Sequence, residues 1–216
     1  MEKLPKNNYF KMGEDILKNL DKPSRVLLHS CCAPCSSACI EYLTKYVDVT
    51  VLYYNPNIEP YEEYLKRKNE EIRFIREYPS IHKVDIIDCD YDNDKFRKLT
   101  CGLEDLEEGG VRCHKCYLMR MLYTGYKAHE LGYDYFCTTL TLSPYKNSQI
   151  LNRLGHTAEV MTGAKYLYTD FKKNNGNLRS IELSKEYNLY RQDYCGCVFS
   201  KRDRDKRKQK NTPNYC

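Results

Sequence analysis

The sequence predicts an α/β protein: a Rossmann-like, three-layer parallel sheet with helices on both faces, plus a helical elaboration that bears cysteines. Two observations predict it. Short runs rich in Val, Leu, Ile and Tyr alternate with amphipathic stretches of ten or more residues, the pattern of parallel strands joined by helical crossovers. With 216 residues, 41% hydrophobic and 30% charged, the chain is long and apolar enough to bury a core and is not globally disordered. No stretch approaches the ~20 apolar residues of a membrane span. Residues 1–8 are polar and the first apolar run, Arg25–Leu28, is too short for a signal peptide, so a cytoplasmic protein is expected.

Taken in order, Arg25–His29 reads as a short buried strand, followed by Ser30-Cys31-Cys32-Ala33-Pro34-Cys35-Ser36 and a helical run over Ser37–Tyr46. In this reading Pro34 keeps the loop from winding into a helix too early. Val47–Asn55 is a second strand, ended by the turn residues Asn55-Pro56-Asn57. Pro60 opens a helix on which Tyr61, Leu65, Ile72, Ile75 and Tyr78 recur at helical spacing, and Pro79-Ser80 closes it. Ile81–Ile87 is a third strand. A helix over Asp92–Leu99 is broken by Gly109-Gly110; Cys113 and Cys116 then precede another helix, whose Leu118, Met121 and Leu122 share a face and which ends near Gly132. Tyr133–Leu140 is a fourth strand, Asn147–Gly155 a helix, Tyr166–Thr169 a short strand and Ser180–Tyr187 a last helix. This divides the chain into an N-terminal extension (1–24), one catalytic α/β domain (25–200) and a basic tail (201–216). Lys201–Lys210 holds seven Lys/Arg and two Asp, which equals the whole net charge of +5, so the body is neutral.

Twelve cysteines in a chain without an export signal point to metal or redox chemistry more than to disulfides. Cys31, Cys32 and Cys35 lie where the first strand turns into its helix, and a helix N-terminus favours thiolate. Cys113-His114-Lys115-Cys116 is a second pair. Cys195-Gly196-Cys197 is a third, with a glycine that permits a tight turn. Cys39, Cys89 and Cys137 read as small buried hydrophobes and Cys216 as incidental, with Cys101 scattered. Seven clustered cysteines exceed the four ligands of a structural zinc and suit an iron–sulfur cluster better. No Gly-rich phosphate cradle follows the first strand; thiols stand in that slot instead.

Several blocks resemble the epoxyqueuosine reductase QueH family. They are Leu27–Cys35, Tyr54-Asn-Pro-Asn-Ile58, Arg112–Arg120, Thr138–Asn147, Asp170-Phe-Lys-Lys173 and Tyr190–Cys197. The resemblance implies cobalamin-independent reduction of the epoxide of epoxyqueuosine, at the wobble position of tRNA, to queuosine. It implies a [4Fe–4S] cluster and a nearby mononuclear iron, with ligands from Cys31, Cys32, Cys35, Cys113 and Cys116. Of these, Cys31, Cys32, Cys113 and Cys116 are the cluster candidates. Cys195 and Cys197 would form a neighbouring redox pair or add ligands. Some members carry Asp at the position of Cys35, where a carboxylate suits oxygen-ligated iron and a thiolate is softer.

Epoxide removal needs two electrons, two protons and release of water, and an iron with an open position would polarise the epoxide oxygen. Candidate acids are Asp170 and Asp193. Lys146, Lys172 and Arg191 are candidates for holding phosphate or base, and Tyr54 for binding substrate. Expected partners are the anticodon loop of tRNA and an unidentified electron donor. Tyr53, Tyr54, Tyr61, Tyr145 and Tyr194 are candidate stacking surfaces, and the basic tail a phosphate contact. The alternatives are a zinc-stabilised RNA-binding module and a thiol redox protein without tRNA reductase activity.

Overall fold

The computed structural model describes residues 6–211; Cys216 lies outside them. Four parallel strands form the sheet: β1 (Arg25–His29), β2 (Asp48–Tyr53), β3 (Val84–Asp88) and β4 (Tyr135–Thr138), in the order β3-β2-β1-β4. In register, Leu28 pairs with Val51 on one side and with Cys137 on the other. The expected strand at Tyr166–Thr169 is reduced to one parallel bridge between Phe136 and Tyr166. Val26, Leu27 and Leu28 are fully buried, as a central strand covered on both faces requires.

The helices supply that cover. Helices α2 (Ala33–Leu43) and α3 (Tyr61–Glu77) carry the chain from β1 to β2 to β3, and α7 (Gly176–Glu186) packs on α2. The return from β3 to β4 uses α4 (Asn93–Thr100) and α5 (Val111–Glu130), and α6 (Ser148–Thr162) packs on α5. Right-handed crossovers running in opposite directions from the centre place α2 and α3 on one face and α5 on the other. The order also makes the carboxyl ends of β1 and β4 the point where the winding reverses, the crevice in which such sheets bind ligands.

Several elements differ from their sequence reading for local reasons. The helix after β1 begins at Ala33, inside the cysteine loop, with Cys32 as its N-cap. Pro34 therefore sits in the first turn, where its missing N–H costs nothing, and does not delay the helix. Cys113 and Cys116 do not precede a helix but lie within the first turns of α5. Helix α6 runs to Thr162, past Gly155, because Gly155 lets the helix approach the Tyr166 ring; a Cβ there would be 2.3 Å from that ring. After β4 the chain tightens into a 3₁₀ turn, Thr139–Leu142, with the Thr138 hydroxyl accepting from Leu140 N–H. The basic segment forms α8 (Val198–Asn211).

The N-terminal segment also contributes to the packed body. Helix α1 (Tyr9–Lys18) is capped by the Asn8 side chain and buries Tyr9, Gly13 and Leu17. Tyr9 stacks on Tyr168 with ring centroids 5.8 Å apart. Gly13 faces the Tyr168 carbonyl so closely that a Cβ would lie 2.1 Å from its oxygen.

Helix α3 carries an unusual load. Its buried residues are Tyr64, Arg67, Glu71 and Phe74, one stripe at helical spacing with two charged groups in it. Arg67 is held by Glu63 and by the carbonyls of Cys195 and Tyr194. Glu71 is fully buried and forms no ion pair among the described residues, and burial pushes its carboxyl up to about 8 against the opposing pull of the Ser36 and Ser30 hydroxyls.

Two tests follow from this packing. In a free helix, Gly13→Ala would add up to ~1 kcal/mol through propensity. Against the Tyr168 carbonyl it should instead cost about 1–3 kcal/mol of overpacking, read as a lower melting temperature. An unchanged or raised melting temperature would show α1 undocked. For Glu71, the folded pKa lies above the ordinary 4.5. Its contribution is therefore full below about pH 4.5 and is lost as pH rises towards 8. Across that window, wild type should lose stability relative to Glu71→Gln by roughly 1.4 kcal/mol per pH unit. A stability difference that is flat from pH 5 to pH 8 would refute a neutral buried carboxyl.

Candidate metal centre

The loop from Ser30 to Cys35 stands at the carboxyl end of β1. Ser30 N–H donates to the Leu52 carbonyl at 3.1 Å, and Asn55 Nδ2 donates to the Ser30 carbonyl at 2.7 Å, tying this loop to the end of β2. His29 is buried between the Thr138 hydroxyl (2.9 Å) and the Tyr54 carbonyl (3.2 Å), and burial lowers its pKa to about 3, so it stays neutral. This brings the Sγ atoms of Cys31, Cys32 and Cys35 within 4.8 Å of one another. Cys31 and Cys32 are buried and Cys35 half-buried. Among the described residues, no other group of three Cys, His, Asp or Glu converges in this way. Hydrogen bonds from the Cys32 and Cys35 thiols hold Cys31 well below the ordinary cysteine pKa, while the same contacts raise its two neighbours.

A second group faces the first. Cys113, Cys116 and Arg120 recur at helical spacing on α5. The Cys195-Gly196-Cys197 turn leads into α8 and packs on the loop after β2: Glu59 N–H donates to the Gly196 carbonyl at 2.9 Å. Gly196 has φ +132, and a Cβ there would lie 3.0 Å from Ile58 and 3.2 Å from the Arg67 guanidinium, so only glycine fits the turn. Burial raises the thiols of Cys113, Cys116 (to about 11) and Cys197 (to about 12), and each is also affected by the neighbouring cysteines of this group. All cysteines of the described residues are free thiols. The seven cysteines singled out by sequence therefore form two adjacent groups, of which only the first three converge as a closed ligand set.

Two cations join the groups. Arg120 is fully buried; its Nε donates to the Cys116 carbonyl at 3.3 Å and its Nη2 has no hydrogen-bond partner. Burial works to lower its pKa, and Cys116, Cys195 and Cys31 outweigh that, leaving it raised. Lys146 is half-buried and behaves alike: the cost of burial is outweighed by Cys195, Cys31 and Cys35. Gln192 completes the rim, its Nε2 donating to Cys32 Sγ at 2.8 Å. The donor set fits an iron–sulfur group: soft thiols, a largely buried setting, and an unpaired buried guanidinium N–H suited to an anionic centre. Cys31, Cys32 and Cys35 could hold it, with Cys113 and Cys116 as further ligands.

The remaining site candidates are placed differently. Asp170 is buried with both oxygens engaged, accepting from Ser148 Oγ (2.9 Å) and Lys172 Nζ (2.7 Å), so Asp170 and Lys172 neutralise each other. Asp193 is about half exposed and paired with Arg204 and Lys208; the Lys208 hydrogen bond leads in holding its carboxyl below the ordinary range, which makes it a poor proton donor. Arg191 is tied to α7 through Ser184 Oγ at 2.9 Å. Tyr54 is buried and its ring is stacked on Tyr123 at 3.7 Å, so that face is closed to a substrate base. Tyr53 is buried as well, and Tyr194 lies between Arg67 and Arg204. Tyr145, next to Lys146, is 94% exposed. Cys39 and Cys137 are buried packing residues, as their isolation suggests. The sequence reading passed over Arg120 and Gln192; the signal for Arg120 was its place one turn after Cys116 on the same helix face.

The cysteine loops that this geometry gathers are also those that match known proteins. The profile of the family described as epoxyqueuosine reductase QueH matches residues 26–203. The chain is 43% identical to epoxyqueuosine reductase QueH of Staphylococcus epidermidis, over 90% of this chain and 85% of that protein. It is 42% identical to its namesake in Streptococcus pyogenes, over 90% and 78%, and 41% identical to that of Staphylococcus aureus, over 90% and 84%. The match spans both cysteine groups and every strand between them, and the chain belongs to the epoxyqueuosine reductase QueH family.

Proposed function

We propose that this chain reduces the epoxide of epoxyqueuosine in tRNA to the alkene of queuosine, at an iron–sulfur centre and an adjacent iron held among Cys31, Cys32, Cys35, Cys113 and Cys116. The observation that carries this reading is the convergence of three thiols within 4.8 Å in the crevice beside β1 and β4. Family membership names the substrate, and a tRNA substrate is met in the cytoplasm. No helix of the described residues is long and apolar enough to cross a membrane.

Loss of the epoxide oxygen as water consumes two electrons and two protons. A [4Fe–4S] cluster held by these cysteines would supply electrons one at a time, and an adjacent iron would supply Lewis acidity towards oxygen. The residues of the chain supply the rest. Cys195 and Cys197 as dithiols release two electrons and two protons on becoming a disulfide, the same balance that the reaction needs, and an external reductant restores them. Lys146, positively charged beside Cys195, Cys31 and Cys35, is the residue we assign to pass a proton to the departing oxygen. Asp170 and Asp193 are committed to ion pairs, and their roles are to fix the Thr141–Lys172 region and the Gln192–Cys197 loop. Arg120 stabilises negative charge from behind. Tyr145 offers an open ring on which a base of the anticodon loop can stack.

Anaerobically purified protein should be brown, carry iron and sulfide, and convert epoxyqueuosine to queuosine in tRNA when given dithionite. A colourless protein with stoichiometric zinc, or a fully loaded protein that forms no queuosine, would overturn the proposal. The two cysteine groups should separate on substitution. Cys113→Ser with Cys116→Ser should lose most of the iron and at least ~100-fold of the activity. Cys195→Ser with Cys197→Ser should keep the visible spectrum and iron content while losing turnover. Iron loss in the second variant would instead assign those thiols as ligands. Lys146→Met should lower kcat by ~10²–10⁴-fold with the spectrum retained, the range of a general acid.

A further inference from the structure

The surplus positive charge of this chain is not spread over it. Within the described part of α8, Lys201, Arg202, Arg204, Lys206, Arg207 and Lys208 stand against only Asp203 and Asp205. Most of these cations lie beyond residue 203, where the family match ends. A charge run of this kind is ordinarily a solvated tail. Here it is a helix whose root is built into the site. Ser200 N–H reaches Cys197 Sγ at 3.4 Å, Cys195 N–H donates to Ser200 Oγ at 3.0 Å, and Ser200 Oγ donates to Glu108 at 3.0 Å.

The cations divide by face. Arg204 and Lys208, one turn apart, clamp Asp193, and Arg204 also lies over the Tyr194 ring at 5.1 Å. Lys201 pairs with Asp205 along the helix, and Arg202 reaches the Glu104 carbonyl, Asp105 and Asp203. These contacts orient the helix on the Gln192–Cys197 loop, and Gln192 in turn touches Cys32. Lys206 and Arg207 take no part in these contacts. Both are exposed, and among the described residues no carboxylate neutralises them. Docking therefore fixes two uncompensated cations at a set position relative to the thiols.

We propose that the outer face of α8, through Lys206 and Arg207, binds backbone phosphates of the RNA whose modified base enters the cysteine crevice. The inference rests on the tRNA reading above and assigns the surface that holds the polyanion. A helix anchored to the loop that carries Cys195 and Cys197 sets the register between phosphate contacts and the reacting base, as phosphate contacts do on nucleic acids generally.

The test measures binding without turnover. Holoprotein is titrated with an unmodified tRNA transcript, lacking epoxyqueuosine, by fluorescence anisotropy at several KCl concentrations. Lys206→Gln with Arg207→Gln should weaken binding roughly tenfold near 100 mM salt and reduce the slope of log K against log salt by about 1.5, since each neutralised phosphate contributes ~0.7–0.9. Lys45→Gln with Lys165→Gln removes the same charge from exposed sites at the amino end of the sheet and should leave both quantities close to wild type. Binding by the α8 variant that equals wild type, or an equal loss in the two double variants, would overturn the proposal. A wild-type protein that binds the transcript in this manner yet never forms queuosine would sink the reductase reading alone and leave the helix assignment standing.

Discussion

Gathering thiols in a dry crevice is the constraint on which the rest of this structure depends. A thiol buried among apolar groups resists ionisation, as Cys113, Cys116 and Cys197 show, yet it is the thiolate that binds metal. The protein answers with buried positive charge. Arg120 and Lys146 bear on both cysteine groups, and Arg67 sits behind Cys32 while holding the carbonyls of Tyr194 and Cys195. Fully burying a guanidinium is costly unless it is paired. Arg67 has Glu63 and two carbonyls, whereas Arg120 keeps one N–H unpaired. That residual donor makes sense beside a centre that carries negative charge.

The topology explains how so many groups meet. The order β3-β2-β1-β4 brings the loops after β1, β2 and β4 to one edge of the sheet. Helix α5, which returns the chain to β4, contributes its first turns, so Cys113 and Cys116 arrive from the opposite face to α2. The C-terminal turn then closes over the crevice, held by Gly196 against Ile58 and Arg67. Each group is thus carried by a different element, and none of them could form the site alone. The buried Glu71, without an ionic partner beneath the loop after β1, belongs to this pattern: a neutral acid adds no negative charge next to the Cys31 thiol.

Much of this was legible in the sequence because period and punctuation are local. The four strands, the helix after Pro60 and the helices that start near Asp92 and Asn147 followed from spacing and turn chemistry. What escaped was set by tertiary contact. Helix α1 has Tyr9 and Leu17 on one side, but only the Tyr168 carbonyl against Gly13 shows why that side is needed. Tyr54 looked like a stacking platform because aromatic residues near a site often are; its partner Tyr123 is 69 residues away and invisible to any local pattern. Asp193 read as an acid beside the cysteines, and the cations that quench it come from a segment read as a tail. Types of residue were readable, while their pairing, which decides protonation and exposure, was not.

The loop after β1 shows how little the fold must change to exchange one chemistry for another. In doubly wound sheets this turn and the helix behind it hold phosphate, with backbone N–H groups and the helix dipole both favouring an anion. Here the helix still starts in the loop, so the dipole still favours negative charge, and Cys35 lies in its first turn. Pro34 removes one N–H that a phosphate would use, and Cys32 at the N-cap forms no side-chain cap bond, leaving its sulfur to face Cys31 and Gln192. Negative charge can therefore come from the chain itself, at the Cys31 thiol that its neighbours hold below the ordinary cysteine pKa, in place of being drawn from a ligand. The same electrostatic preference that suits a nucleotide suits a thiolate-bound metal, and three cysteine side chains stand where the loop would otherwise cradle a phosphate.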